Sequence, residues 1–361
     1  MHTLKRKYLY SIFVPLSTES HPYLKLLYSE LKKLGLTVYS LDMKRRNIVI
    51  NFLHLMKSNI IHLHWIEYYV RKKNRLLSFF ALIAYILLLV SLKYLLRKKI
   101  IITLHNVIPH ELQYYEIDYV NFLLSLQLAS AIIVHNKYSK KKTAALYYID
   151  PQKIHIVPHG HFIGYYPNVV TREEARKRLK ISDNKIVITF FGNIREYKGI
   201  NLLSRIIGDI TNKHDVLFLI CGKVHSKKLL KKLFKIRMLY RDNVKIIPQY
   251  IPDDFIQVVL NATDIGILPF SKIWTSGTLL LFLSFGIPVI VPHLEPIVEL
   301  LGDKGIYYKP NDAESLSCAI EYAINNLDKL KKMREELREM IKKYDWKMIA
   351  KETLRIYLSA D

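Results

Sequence analysis

The sequence predicts an α/β protein made of two doubly wound parallel-sheet domains. Three observations carry this. Short apolar runs alternate with stretches of helical period along nearly the whole chain. The alternation breaks once, at residues 158–171, where PHGHFIGYYPNVVT holds Gly160, Gly164 and Pro167 and has no apolar period. Half of the 361 residues are apolar, enough for two sizeable cores and too many for a disordered or collagen-like chain. Repeated strand–helix units imply parallel sheets covered on both faces, and right-handed crossovers wind each sheet outward from its first strand.

The first domain is expected over residues 1–165. Tyr8–Val14 reads as its opening strand. Lys5-Arg6-Lys7 before it imitates a signal peptide, but the run is short, Pro15 ends it and no small-residue cleavage site follows. Thr37–Leu41, Ile60–His64, Ile100–Leu104, Ala131–His135 and Ile154–Val157 follow as strands, with Tyr23–Leu34 as a representative helix. The second domain, 166–342, takes Ile186–Phe191, Val216–Ile220, Val244–Ile247, Asp264–Leu268, Pro288–Val291 and Gly305–Tyr308 as strands, with a helix over Asn201–Ile210. Three helices close the chain, the last within 343–361.

Leu76–Leu92 stands apart. Its 17 residues carry no charge and sit between Arg71-Lys72-Lys73, Arg75 and Lys93, Arg97-Lys98-Lys99, within an apolar helix expected over 76–96. Seventeen residues is the short limit for a membrane span. A buried core helix, a helix lying in the membrane interface and a true span all fit this pattern. A span would separate residues 1–70 from the strands after 100, which the alternation puts in one sheet. A second amphipathic segment, Lys227–Tyr240, sets Leu229, Leu230, Leu233, Phe234 and Ile236 against a row of lysines, and reads as a solvated helix or a membrane contact.

Charge asks for an anionic partner. The net charge is +24, and residues 1–165 hold 23 Lys+Arg against 8 Asp+Glu. Nucleic acid, a phosphorylated substrate and an anionic membrane all satisfy that balance. The basic residues are scattered and no nucleic-acid motif accompanies them, so nucleic acid is not expected. The two cysteines, Cys221 and Cys318, lie too far apart in sequence for a zinc module or a disulfide framework, and fit a reducing compartment.

Two loops have the chemistry of a phosphate site. Phe190-Phe191-Gly192-Asn193-Ile194-Arg195-Glu196-Tyr197-Lys198-Gly199 follows a strand and opens a helix. Gly192 permits close backbone approach, the helix start favours anions, and Arg195 and Lys198 add two cations three residues apart. Trp274-Thr275-Ser276-Gly277-Thr278 leads into apolar Leu279–Phe285; its Ser, Gly and Thr either cap the helix or leave N–H groups for a phosphate. In the first domain, Thr103-Leu104-His105-Asn106 follows a strand and runs to His110-Glu111. His62 and His64 share one face of the preceding strand, with Trp65 and Glu67 just beyond it. No carboxylate or cysteine cluster joins these histidines in sequence, so no metal is expected. Asp253-Asp254 reads as the start of a helix.

These segments together resemble the nucleotide-sugar-dependent glycosyltransferases of the GT-B fold, closest to glycosyltransferase family 4. FFGNIREYKGI resembles the family's donor-phosphate loop, SFGIPVIVP its Ala-x-Gly-x-Pro-Val-Ile strand entry, NATDIGILPF the segment before the donor loop, and Asp345-Trp346-Lys347 through Tyr357 its closing helix. The resemblance covers nearly the whole chain. It implies two Rossmann-like domains facing across a cleft, and a terminal helix crossing back to the first. It also implies donor binding by Gly192, Asn193, Arg195, Lys198, Gly222, Ser276, Gly277, Thr278 and Glu299, with His105, Arg195 and Lys198 as the catalytic set. His64, Trp65, His110, Glu111 and His159 then stand on the acceptor side. The activity implied is metal-independent hexosyl transfer, retaining in this family, from GDP-mannose or a UDP-sugar to a lipid-linked or polysaccharide acceptor. The protein would work in the cytoplasm, peripheral on the inner face of the cell membrane. If the reaction inverts, His105 or Glu111 is the candidate base. One departure stands out: the two glutamates that many members carry eight residues apart are replaced here by Ile273 and Leu281. A catalytically degenerate membrane-associated subunit and a nucleotide-sugar epimerase on the same fold are the alternatives.

Overall fold

The computed structural model describes residues 11–19, 21–41, 48–109 and 113–360. Two compact units emerge, one of residues 1–160 with 344–361, the other of 161–343. The first unit's sheet holds β1 (Ser11–Val14), β2 (Thr37–Ser40), β3 (Ile60–His64), β4 (Lys99–Thr103), β5 (Ala131–Val134) and β6 (Ile154–Ile156). The second holds β7 (Ile186–Phe191), β8 (Val216–Cys221), β9 (Val244–Ile247), β10 (Ile265–Ile267), β11 (Val289–Pro292) and β12 (Ile306–Tyr308). All pairings are parallel, in the orders β2-β1-β3-β4-β5-β6 and β12-β11-β10-β7-β8-β9. These are doubly wound sheets. Strand order reverses between β1 and β3 in one unit and between β7 and β10 in the other, where such sheets open a crevice at their strand ends. The doubly wound α/β fold expected of the sequence is the one observed.

The central strands β3, β5 and β8 are buried throughout, as expected of near-continuous Ile, Val and Leu runs in a parallel sheet. In the second unit Ile188, Phe190, Phe218 and Ile220 pack against Leu203, Ile206 and Ile207 of the helix Ile200–Lys213. In the first, Ile12, Ile60 and Ile101 pack with Leu24 and Leu27 of the helix Pro22–Lys33 and with Trp346, Ile349 and Tyr357 of the helix Trp346–Ser359. Each such side chain contributes roughly 1.5–3 kcal/mol on burial. The sequence places the domain boundary at 165. The units divide five residues earlier because the aromatic segment after Gly160 packs on the second unit, with Phe162 N–H donating to Ser284 Oγ at 2.9 Å.

The apolar segment forms the helix Arg75–Val90, continued by a π turn over Ser91–Leu95. Asn74 caps its start by accepting from Leu77 N–H at 2.8 Å. Ser78, Leu82, Tyr85 and Leu89 face inward, while Leu76, Leu77, Phe79, Phe80, Leu87 and Leu88 are exposed. Only 28% of its most apolar stretch is buried, so the buried-core reading does not hold. Nor does a span fit, since β3 and β4 on either side of it pair directly over five residues. In the basic helix Lys227–Leu239, Leu229, Leu233 and Ile236 face the core.

Candidate active site

In the second unit the switch point is built by the loops after β7, β8 and β10. The chain leaves β7 at Gly192, whose N–H donates to Cys221 O at 3.0 Å, and runs alongside residues 223–225 through Ile194 N–H to Lys223 O at 2.8 Å. Asn193 Oδ1 lies 3.1 Å from His225 Nε2. Gly222 has φ +141°, and a Cβ there would stand 1.8 Å from Gly192 O, so only glycine lets the two loops close. Gly199 has φ +78°, and a Cβ on it would stand 1.6 Å from Pro269 O, which draws the loop after β10 against the same spot. A Cβ on Gly192 would stand 3.0 Å from Thr278 Oγ1, so the Ser276–Thr278 helix start adjoins the β7 loop.

Lys198 closes this seat. Its Nζ lies 4.7 Å from the centre of the Phe270 ring, a cation–π contact between the loops after β7 and β10. Burial, and then the Arg195 guanidinium, pull the Lys198 ammonium down to about 8. Ser276 spends its hydroxyl on the helix Gly277–Ser284, accepting from Leu279 N–H at 3.0 Å. The first-turn N–H groups of Gly277 and Thr278 have no partner within the helix and point past its start.

The first unit gathers histidines. β3 ends in His64, and His105, His135 and His159 follow the ends of β4, β5 and β6. His64 Nδ1 is 3.1 Å from His105 Nε2, and His105 Nδ1 is 3.1 Å from His135 Nε2. His135 Nδ1 reaches Val157 O at 2.9 Å. On the other side, the Tyr28 hydroxyl lies 2.8 Å from His64 Nε2 and 2.7 Å from His62 Nδ1, and His62 Nε2 lies 2.8 Å from Thr103 Oγ1. Tyr357 OH reaches His62 Nδ1 at 2.7 Å. Burial lowers all four imidazoles: His62 to about 3, His135 to about 4, and His64 and His105 well below the usual value. Trp65, partly exposed with φ +45°, stacks on His105. His159 donates Nδ1–H to Gly160 O at 2.8 Å and meets Tyr23 edge-on. Among the described residues no group of His, Cys, Asp and Glu is arranged to hold a metal ion.

With this geometry in place, residues 171–343 match the family model of the glycosyl transferases group 1. The match falls within the second unit, and the chain is similar there to the group 1 glycosyl transferases. A GDP-mannose:glycolipid 4-β-D-mannosyltransferase of Xanthomonas campestris pv. campestris is 24% identical over 311 residues, covering 85% of this chain and 81% of that protein. The O-antigen biosynthesis glycosyltransferase WclY of Escherichia coli is 25% identical, covering 64% and 65%. Among solved structures, Anabaena Alr3699/HepE in complex with UDP and glucose superposes with a TM-score of 0.74 at 14% identity, covering 98% of this chain and all of that one. The fold is GT-B.

Of the residues expected to form the site, the structure brings Gly192, Asn193, Lys198, Gly222 and Thr278 to one strand-end crevice and His64, Trp65, His105 and His159 to another. Ile273 and Leu281, at the two glutamate positions, are buried apolar side chains. Glu299 lies exposed near the far end of the helix Glu295–Leu301; Glu295, not singled out from sequence, holds the first turn after β11. His105 has both ring nitrogens engaged by other histidines, which leaves neither for the base role considered for it. His110 and Glu111 lie outside the described residues. Sequence reasoning also missed His135, Tyr28 and Tyr357. A signal for the first was present, since a histidine recurs at the end of four neighbouring strands.

Proposed function

We propose that this glycosyltransferase moves a hexosyl residue from a nucleotide-diphosphate sugar to a lipid-linked saccharide, at an anionic membrane surface on its cytoplasmic face and without a metal. The donor half rests on one observation: glycine-dependent loops converge on Lys198, with Arg195 and the Gly277–Thr278 helix start beside them. Cleaving the sugar–phosphate bond leaves negative charge on the pyrophosphate. Two side-chain cations and free backbone N–H groups supply the positive field that a divalent ion would otherwise bring, and removing one such donor costs about 10²–10³ in rate. The Xanthomonas relative, by its name, makes GDP-mannose the first donor to try.

The acceptor half is supported by that relative's glycolipid acceptor and by the exposed apolar helix Arg75–Val90 with basic residues at both ends. On this reading His64, Trp65, His159, His110 and Glu111 belong to the acceptor side. Retention is favoured by the engaged nitrogens of His105, because a retaining course lets the leaving phosphate take the acceptor's proton. The second reading, inversion, is favoured by the β-linkage in the relative's name, since GDP-mannose carries its sugar α-linked.

Thermal-shift titration with GDP, UDP and their sugars tests the donor seat and names the base. The Arg195→Ala, Lys198→Ala double variant should lose both the shift and turnover; near-normal turnover ends the proposal. Activity in excess EDTA tests metal independence, and the anomeric signal of the product by NMR separates the two stereochemical courses.

A further inference from the structure

The proton positions in the buried histidine cluster follow from one end. A carbonyl oxygen only accepts, so the bond to Val157 O makes His135 Nδ1 the donor. Held neutral by burial, His135 has no proton on Nε2, and His105 Nδ1 must donate to it. A neutral His105 then accepts at Nε2 from His64 Nδ1. A neutral His64 accepts at Nε2 from the Tyr28 hydroxyl. Tyr28 has now used its one proton, so its oxygen accepts from His62 Nδ1–H, which it shares with the Tyr357 oxygen at the same distance, and His62 Nε2 is left to accept from Thr103. Every bond in the series is satisfied once the first is fixed, and all run the same way.

We infer that His62, His64, His105 and His135 form one directed hydrogen-bond chain, all in the Nδ1–H tautomer, that positions the His105 ring as a fixed wall behind Trp65. Thr103 at one end is buried and Val157 at the other is too, so the chain has no exit for a proton and does not conduct one. Tyr357, from the helix Trp346–Ser359, anchors the His62 end. His62, His64, His135 and Tyr28 are positioning residues that act through His105. Imidazole in water favours the Nε2–H tautomer, so four Nδ1–H rings in series are a selection made by geometry.

The test has two arms. Long-range ¹H–¹⁵N NMR of the full chain labelled at histidine, assigned with single His→Gln variants, reads the tautomers directly. Four Nδ1–H rings that do not titrate between pH 5.5 and 8 are expected; an Nε2–H ring among them, or titration in that range, overturns the chain. The kinetic arm rests on the proposed glycosyl transfer and uses donor-sugar hydrolysis or transfer as readout. Glutamine can accept from His64 and donate to His135, so His105→Gln should stay within about tenfold of wild-type kcat. His105→Ala, which leaves two neighbours unpaired, should fall by about a hundredfold. Equal loss in both folded variants would mean proton transfer by His105, a role worth about 10²–10⁴-fold, and would overturn the positioning role. If neither variant folds, or no donor is turned over, the wild-type spectrum still decides the chain.

Discussion

The indole of Trp65 lies flat on the imidazole of His105, with ring centres 4.2 Å apart and planes 12° from parallel. Trp65 reaches this position with φ +45°, a left-handed conformation that costs a non-glycine residue about 1 kcal/mol or more. That strain sits at the carboxyl end of β3, beside the switch point of the first unit, where an aromatic face suits a sugar ring. Trp65→Gly relieves the backbone and deletes the ring. We expect its melting temperature to exceed that of Trp65→Ala, and both variants to raise acceptor KM by about tenfold with donor KM unchanged. Unchanged acceptor KM would remove Trp65 from the acceptor side.

If the proposed donor seat is right, Lys198 should make donor binding depend on pH. Its ammonium is lowered to about 8, by burial first and Arg195 second. A bound pyrophosphate favours the charged form and raises that value. Affinity should therefore be greatest below pH 8 and fall as pH rises above it, by up to tenfold per unit until the bound form also deprotonates. Nucleoside-diphosphate titrations by calorimetry at pH 7, 8 and 9 measure this, with proton uptake on binding. Lys198→Arg keeps its charge and should flatten the fall.

The glycine loops give a test of construction. A Cβ at Gly222 would meet Gly192 O at 1.8 Å, and backbone cannot yield as a flexible side chain can. Gly222→Ala should lower stability by about 1–3 kcal/mol and abolish the thermal shift from nucleoside diphosphates. Gly35, at φ +91° with nothing near its Cβ position, serves as the control. Gly35→Ala pays only the left-handed strain and should keep full donor binding.

The apolar helix predicts a surface effect without a core effect. Leu77, Phe80 and Leu87 are 51%, 57% and 61% exposed. Replacing all three by serine should leave the melting temperature nearly unchanged and cut binding to anionic vesicles by tenfold or more in sedimentation. Raising salt should weaken the wild-type protein further, because basic residues near the surface contribute about 1 kcal/mol each.

The strands were legible because parallel sheets demand unbroken apolar runs, and Ile60–His64 and Ile186–Phe191 begin and end where the sequence places them. The loop from Gly192 to Gly199 stood out in sequence as a candidate because glycines and cations are gathered at a strand end, and the structure sets it against the loops after β8 and β10. The exposure of Leu77 and Phe80 was not, since an all-apolar helix reads the same in a core as at an interface. The histidine chain was hidden for another reason. Its links join β3, β4, β5 and two helices, and the closest partners lie 22 or more positions apart, so only strand register brings them together. Residues 161–170 lack a period because hydrogen bonds to Ser284, Gln257 and Asn261, not a repeating apolar face, attach them to the second unit.

The contribution of Trp346 and Tyr357 to the first unit's core has a consequence in time. Trp346 covers Gly160 so closely that a Cβ there would stand 2.3 Å from the indole, and Tyr357 is fully buried. During synthesis the first unit emerges early yet lacks these side chains until residues 346–357 have left the ribosome. The second unit, whose residues 161–343 are contiguous, is complete before the first can close.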